Sequence, residues 1–184
     1  MKKLLSLGVA LLTGVATLTS CDFSGLLNNL QNIAKDAIPT VQDAKIVEDK
    51  TAGTITLSYT LTGGFEGGDM KSEMVWSFVT VDNLPESLAA IKALLSGVTE
   101  PICISAILKE TYATADDAKE AMMEHSDSRA KLVKKTITTD MTEDYTPSLD
   151  NPENVWPWSE ILEEAEGKKA KIEKTNSIGD LFNY

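Results

Sequence analysis

Apolar and polar residues alternate strictly in the first half of the chain, and this pattern predicts β-strands. Over residues 54–61 every second side chain is apolar and the positions between them are threonine or serine, which is typical of a half-buried antiparallel strand. Residues 74–81 are apolar on both faces, with three large side chains opposite three valines, and this favours a central strand. A weaker strand pattern precedes both at 44–48.

Helical spacing dominates the second half of the chain, interrupted by two strand-like runs. Apolar residues recur three and four positions apart, and Pro85, Thr114 and Gly167 supply start and stop signals, so we expect the last helix to end at Gly167. Residues 142–157 have the composition of a polar loop. The predicted helices span 86–95, 114–125 and 158–166, and the predicted strands span 102–108 and 131–139, the latter with Leu132, Val133 and Ile137 facing inward.

This order of elements predicts one α+β domain over residues 41–184. Three early strands followed by alternating helices and strands favour two layers, with helices packed on one face of a largely antiparallel sheet. A small lipocalin-like β-barrel is the alternative, although the helical patterns count against closure. Ahead of the domain, residues 24–38 have helical spacing and end at Pro39. They predict a short amphipathic helix that packs on the domain or, alternatively, binds a partner or the membrane interface.

The first 21 residues carry a different pattern. Lys2 and Lys3 precede an uncharged stretch at 4–20 that is rich in leucine, valine and alanine and ends in Leu18-Thr19-Ser20-Cys21. A positive start followed by an apolar run of this length is typical of a secretory signal peptide. With an aliphatic residue three positions before the cysteine and a small residue directly before it, the segment resembles the signal peptide and lipobox of a bacterial lipoprotein precursor.

The resemblance implies a lipid anchor. In that family the cysteine, here Cys21, is linked to diacylglycerol, cleavage follows the position of Ser20, and the new amino group is commonly acylated, so palmitate labelling is expected. The membrane is then a partner, and the location is the cell envelope, facing the periplasm or the exterior. Asp22 is associated with inner-membrane retention only in enteric Gram-negative bacteria, so the choice of membrane stays open. The implied organisation is a cleaved signal peptide at 1–20, a lipidated N-terminus with its helix at 21–40, and the domain at 41–184.

The charge balance narrows the classes of partner. The chain has 17 Lys and Arg against 28 Asp and Glu, a formal net charge of −11, and removal of residues 1–20 deletes two lysines and no acid, which gives −13. Nucleic acid is therefore disfavoured as a partner, because its phosphate backbone is bound by clustered lysine and arginine. Net charge alone also predicts that the domain is repelled from an anionic membrane.

The sequence offers few groups for catalysis. Once Cys21 carries lipid, Cys103 and His125 are the remaining candidates for a thiolate nucleophile and its base, but an apolar strand around Cys103 predicts a buried, inert thiol. We name no catalytic residue, no cofactor and no metal ligand. An acidic loop could supply oxygen ligands to calcium but lacks EF-hand spacing, and its acids are Asp140, Glu143, Asp144, Asp150 and Glu153.

Aromatic side chains are the better candidates for binding. Trp156 and Trp158 flank Pro157, and two rings held by a proline could stack on a sugar or a peptide. The alternative is a hydrophobic staple that locks the loop to the last helix. Phe65 lies in a glycine-rich loop at 63–68 and either contacts a partner or folds back over the sheet.

These observations favour a lipid-anchored, noncatalytic binding or assembly module of the envelope, with an envelope protein or a glycan as partner. A hydrolase that uses carboxylates is one alternative. A carrier of a small apolar ligand is another, and it requires an open cavity along the face that carries Met74, Trp76 and Phe78.

Overall fold

Six antiparallel strands form one open sheet in the computed structural model, which describes residues 40–62 and 69–181. Their order across the sheet is β1-β2-β3-β4-β6-β5. Among the described residues β1 and β5 are the two edges, so the sheet is open rather than closed into a barrel, and the α+β prediction is confirmed. The strands are β1 (Thr40–Asp49), β2 (Thr54–Thr62), β3 (Met70–Val79), β4 (Ile102–Tyr112), β5 (Ala130–Val133) and β6 (Thr136–Asp140).

The alternation in the sequence separates the two faces of this sheet. Ile55 and Trp76 are opposite each other on β2 and β3 and are fully buried, as expected for the face that carries the core. On the other face, Thr56 is opposite Val75, and both are only half-buried. We call these the core face and the open face. The prediction that β3 is central holds in position, since β3 lies between β2 and β4.

The three α-helices pack on the core face, which gives the two predicted layers. Helix α1 (Ala115–Glu124) contacts β4, β5 and β6, whereas α3 (Trp158–Leu181) contacts β1 and β2. The short α2 (Thr142–Tyr145) buries Tyr145 in the same core, and 3-10 segments at Val81–Asn83 and Glu86–Leu95 lie near the start of β4. No helix within the described ranges is long and apolar enough to cross a membrane.

The capping chemistry of α1 follows directly from its sequence. The Thr114 hydroxyl accepts a hydrogen bond from the Asp117 amide at 3.2 Å, and the Asp117 carboxylate accepts one from the Thr114 amide at 3.0 Å. This capping box satisfies two amides that the helix itself leaves unpaired. The negative charge of Asp117 also favours the positive end of the helix dipole.

Two local predictions are wrong, and a third is correct in its bounds but differs in helix type. Residues 131–139 form two strands, since Lys134 adopts a left-handed conformation with φ 57° and turns the chain between β5 and β6. Val133 is consequently 65% exposed. The segment at 86–95 is a 3-10 helix rather than an α-helix. Gly167 does not end α3, because Ile172 beyond it is buried in the core and offsets the roughly 1 kcal/mol that an internal glycine costs.

Two predicted functional residues lie outside the described residues. Cys21 and the amphipathic segment at 24–38 fall within residues 1–39, and Phe65 falls within 63–68. Their assigned roles therefore stay predictions.

Candidate functional site

The two tryptophans that flank Pro157 point to different surroundings. The Trp156 indole donates to the Asn154 side chain at 2.9 Å and packs 5.5 Å from the Tyr145 ring, so it belongs to the core. Trp158 packs against Phe78 at the edge of the core, with ring centroids 4.7 Å apart and planes tilted by 49°. Both tryptophans are partly buried against the core, and Trp158 also lines an open cleft.

That cleft has a volume of about 510 Å³ and lies at the end of the sheet where β1 turns into β2. Its lining combines aromatic, hydroxyl, amide and charged side chains, which is typical of a site for a polar organic ligand. The lining residues are Lys50, Thr51, Ala52, Gly53, Phe78, Val79, Thr80, Asn83, Glu100, Pro101 and Trp158.

One wall of the cleft is the turn between β1 and β2, which is fixed by its own hydrogen bonds. The Asp49 carboxylate accepts from the amides of Thr51 and Ala52 at 2.9 and 2.8 Å. Gly53 follows with φ 66°, and its carbonyl accepts from the Phe78 amide at 2.8 Å. A β-carbon at Gly53 would lie 2.9 Å from the Phe78 carbonyl oxygen. Only glycine fits this close approach without strain.

The opposite wall is Trp158, which is tied to the start of β4. The Trp158 amide donates to the Pro101 carbonyl at 3.0 Å, and the Cys103 amide donates to the Trp156 carbonyl at 2.9 Å. Glu100 caps α3 by accepting from the Ser159 amide at 3.1 Å. These bonds hold the indole at the first position of a helix, so its place in the cleft is set by backbone contacts.

The electrostatics of the cleft are mixed. Lys50 and Glu100 both line it, and Glu48 accepts a hydrogen bond from the Trp158 indole at 3.1 Å. An indole whose polar atom is already paired presents its ring as an apolar surface. The cleft therefore offers a flat aromatic surface beside both donors and acceptors.

The structure does not bring Cys103 and His125 together. His125 lies 3.3 Å from the carboxylate of Glu110 on β4, and Cys103 is seven residues away along the same strand, or about 23 Å. Cys103 is fully buried, and this burial raises the pKa of its thiol to about 12. A thiol of that kind is not a nucleophile near neutral pH, as expected from the sequence.

His125 instead closes a buried polar row across the core face. Tyr59, Ser72 and Glu110 are opposite one another on β2, β3 and β4, and all three are buried. The hydrogen bond that His125 makes to the Glu110 carboxylate, only partly opposed by burial, raises the pKa of His125. Burial is the main cause of the raised pKa of Tyr59. Glu110 was missed from the sequence because its partner lies fifteen residues away, and a polar residue within an apolar strand was the only available signal.

A second polar cluster lies where α2 meets α3. The Tyr145 hydroxyl donates to Glu164 at 2.9 Å, and the Lys168 ammonium is 2.6 Å from the same carboxylate oxygen. Lys168 also lies 5.6 Å from the centre of the Trp76 ring. Burial is the main reason that the pKa of Tyr145 is raised, so its hydroxyl stays protonated and serves as a structural donor.

The acidic loop does not assemble a metal site. Asp144 pairs with Arg129 at 2.9 Å, and Asp140 accepts from the Thr142 amide at 3.0 Å. Within the part of the chain that the structure describes, no group of three or more His, Cys, Asp or Glu side chains is placed to hold a metal ion. Asp140 and Asp144 are occupied by protein partners instead.

Comparison of the chain with protein-family models, with curated proteins and with solved structures finds no match. The functional assignment therefore depends on the chemistry of the residues described above.

Proposed function

We propose that this protein is a noncatalytic binding domain of the cell envelope, anchored by a lipid on Cys21, that binds a glycan in the cleft beside Trp158. The observation that carries the proposal is the pairing of the Trp158 and Phe78 rings in an open cleft that also presents Lys50, Asn83 and Glu100. The lipobox supplies the location. The cleft supplies the binding chemistry.

A saccharide fits this combination of groups because it has two kinds of surface. Its ring carries a face of C–H groups that stacks on an indole, and its hydroxyls both donate and accept hydrogen bonds. Thr51, Thr80 and Asn83 can do the same, and Lys50 and Glu100 bring one charge of each sign. A neutral or weakly charged glycan is therefore favoured over a strongly ionic ligand.

The two alternatives each lack a feature that they need. A glycosidase uses two carboxylates that flank the scissile bond, whereas Glu100 is the one carboxylate among the described residues that line the cleft, and it caps α3. A carrier of an apolar ligand needs a cavity along Met74, Trp76 and Phe78. Met74 and Trp76 are buried in the core, and only Phe78 lines the cleft.

Binding is tested by titrating the full-length protein with neutral oligosaccharides and soluble muropeptides, with isothermal titration calorimetry as the readout. We expect saturable binding, and we expect Trp158→Ala to weaken it by about tenfold or more, because burying a large apolar side chain against a ligand is worth roughly 1.5 to 3 kcal/mol. Leu149→Ala, at a residue that is 71% exposed and outside the cleft lining, is the control and should retain native affinity. Equal affinity of native and Trp158→Ala protein would refute the cleft as the site.

The anchor is tested independently by labelling cells with radioactive palmitate. Cys21→Ser should abolish incorporation and leave a precursor that retains residues 1–20. Cys103→Ser is the matched control, because that thiol is buried, and it should label normally. Palmitate incorporation into Cys21→Ser protein would overturn the anchor.

A further inference from the structure

The open face of the sheet carries a cluster of lysines that the net charge conceals. Register places Lys45 on β1, Lys109 on β4 and Lys131 on β5 in one row across the sheet. Lys71 on β3 lies in the adjacent row, and Lys134 is in the turn between β5 and β6. We call this set, together with Lys135 in the same turn, the basic face. All six side chains belong to exposed residues.

Most of the charge on the basic face has no compensating partner. Glu73, in the same row, forms a salt bridge with Lys71 at 2.8 Å. Among the residues described, no carboxylate lies within 4.0 Å of the ammonium groups of Lys45, Lys109 or Lys131. Asp140 at the end of β6 is on the same face and interacts electrostatically with Lys131. The six lysines of the basic face still outnumber Glu73 and Asp140, so the basic face is positive in a chain whose formal net charge is −11.

The spacing of these lysines fits a surface better than a single anion. Strands lie about 4.8 Å apart, so Lys45 and Lys109 are separated by roughly 14 Å, and Lys109 and Lys131 by roughly 10 Å. One phosphate cannot contact all three ammonium groups at such distances. A plane of anionic headgroups can do so, because adjacent lipids present charges across the whole strip.

The acidic groups are concentrated on the other side of the molecule. Residues 141–157, which include α2, carry four carboxylates and no lysine or arginine. Helix α1, which covers the core face, has four acids and one lysine. The repulsion predicted from net charge therefore applies to the helical layer, whereas the basic face would be attracted to an anionic surface.

The chain enters the domain beside the basic face. Thr40 is the first residue of β1 and lies on the open face. Along the strands from Thr40, the next row of open-face residues contains Lys71, and the row after that contains Lys109. Residues 22–39 lie between Cys21 and this point, and eighteen residues can span at most about 60 Å. The Trp158 cleft is at the opposite end of the strands, on the core-face side.

We propose that the basic face docks on the anionic phospholipid headgroups of the bilayer that holds the lipid anchor, so that the sheet lies against the membrane and the Trp158 cleft stays open. This orientation rests on the proposed anchor, which brings the face to the bilayer. Each lysine at an anionic surface favours the docked state by about fivefold. Loss of three lysines should therefore shift the equilibrium by roughly a hundredfold.

The test measures how fast each lysine is acylated in full-length lipidated protein, reconstituted in two kinds of vesicle and analysed by mass spectrometry. In vesicles that contain phosphatidylglycerol, the acylation rates of Lys45, Lys109 and Lys131 should fall to about one fifth, or less, of their rates in vesicles of phosphatidylcholine alone. High salt should restore their rates. Lys119 and Lys169, which pair with acids on the helical layer, serve as internal controls and should not change.

Charge variants separate the basic face from general attraction. Lys45→Gln/Lys109→Gln/Lys131→Gln should remove the protection of Lys134 and Lys135. The control Lys92→Gln/Lys119→Gln/Lys169→Gln changes net charge equally and should leave that protection intact.

Flotation separates failure of the anchor from failure of docking. Flotation with phosphatidylcholine vesicles measures the anchor alone. If the anchor fails, selective flotation with phosphatidylglycerol vesicles still measures docking. Equal acylation rates in both kinds of vesicle, with normal flotation, would overturn the proposal. Protection of these lysines by a soluble polyanion but not by vesicles would overturn it as well.

Discussion

The two ends of the core face have opposite chemistry. Near the start of β4, Trp158 and Phe78 line an open cleft whose polar groups are suited to binding. Toward the end of β4, Glu110 and His125 form the kind of pair that catalysis uses, yet their side chains are 5% and 4% exposed. Among the described residues, the lining of the open cleft contains no such pair, and the Glu110–His125 pair is buried.

This difference shows why titratable groups need an accessibility test before they are assigned a function. The raised pKa of His125 would mark it as a candidate acid or base. Burial of both side chains keeps the pair from solvent and makes it a structural element, in which each partner satisfies the other. The described residues that line the Trp158 cleft include no such pair, but the cleft has a volume of about 510 Å³ and is lined by polar side chains.

The largest effect should come from the buried aromatic core that supports the cleft. Trp76→Ala is expected to lower the free energy of unfolding by about 3 to 5 kcal/mol, because the fully buried ring leaves a cavity among α3, Tyr145 and the sheet. Urea unfolding followed by circular dichroism measures the loss. Met123→Ala, at a residue that is 84% exposed, should change stability by less than about 0.5 kcal/mol. Similar values for the two variants would contradict the assigned core.

The sequence predicts the elements whose pattern is local. Alternation over 54–61 corresponds to β2, and Thr114 with Asp117 predicts the start of α1, because both depend on neighbours a few residues away. Lys134 and Gly167 defeat local rules for opposite reasons. Lys134 accepts a left-handed turn that glycine or asparagine would favour, and Gly167 stays helical because Ile172 is buried further along.

The candidate site depends on contacts that are distant in the chain, and this limits what sequence reasoning can recover. Trp158 was identifiable as an aromatic residue beside a proline. Its partners, Phe78 and the turn at Gly53, are about 80 and 100 residues away along the chain and meet it only through the antiparallel register. Glu110 and His125 likewise become a pair only when α1 folds onto β4.

At the polar end, Glu110→Gln should remove a charge-assisted hydrogen bond and lower stability by about 1.5 to 3 kcal/mol at pH 5.5. Because Glu110 raises the pKa of His125, the stabilisation is complete below the unfolded pKa near 6.5 and is lost as pH rises through the higher folded value. Native protein should therefore lose stability between pH 5.5 and 8, and Glu110→Gln should show a smaller loss. Urea unfolding at both pH values measures this.

That pH window reports on a single side chain. His125 is the one histidine of the sequence, and the Cys103 thiol, with a pKa of about 12 when folded, stays protonated below pH 8. Glu120→Gln removes the same charge from an exposed position on α1 and should keep the native pH dependence. An equal pH dependence in Glu110→Gln and native protein would contradict the link between the two buried groups.

At the cleft, Gly53→Ala should lower the free energy of unfolding by about 1 to 2 kcal/mol, since the added β-carbon meets the Phe78 carbonyl and φ is 66°. Gly167→Ala is the matched substitution, and it should raise stability by about 0.5 to 1 kcal/mol because the helix there has open space around it. Thermal unfolding of both variants checks the signs. A stabilised Gly53→Ala protein would mean that the turn beside the cleft is looser than described.

The smallest effect is expected at the cap of α1. Thr114→Ala removes one half of the capping box and should cost about 1 kcal/mol, whereas Thr114→Ser keeps the oxygen and should cost little. Because α1 covers the polar row and makes no contribution to the cleft lining, amide exchange should accelerate in α1 but not in the first turns of α3. Faster amide exchange in both helices would show that the polar row and the cleft unfold together. The polar row would then contribute to the stability of the binding cleft.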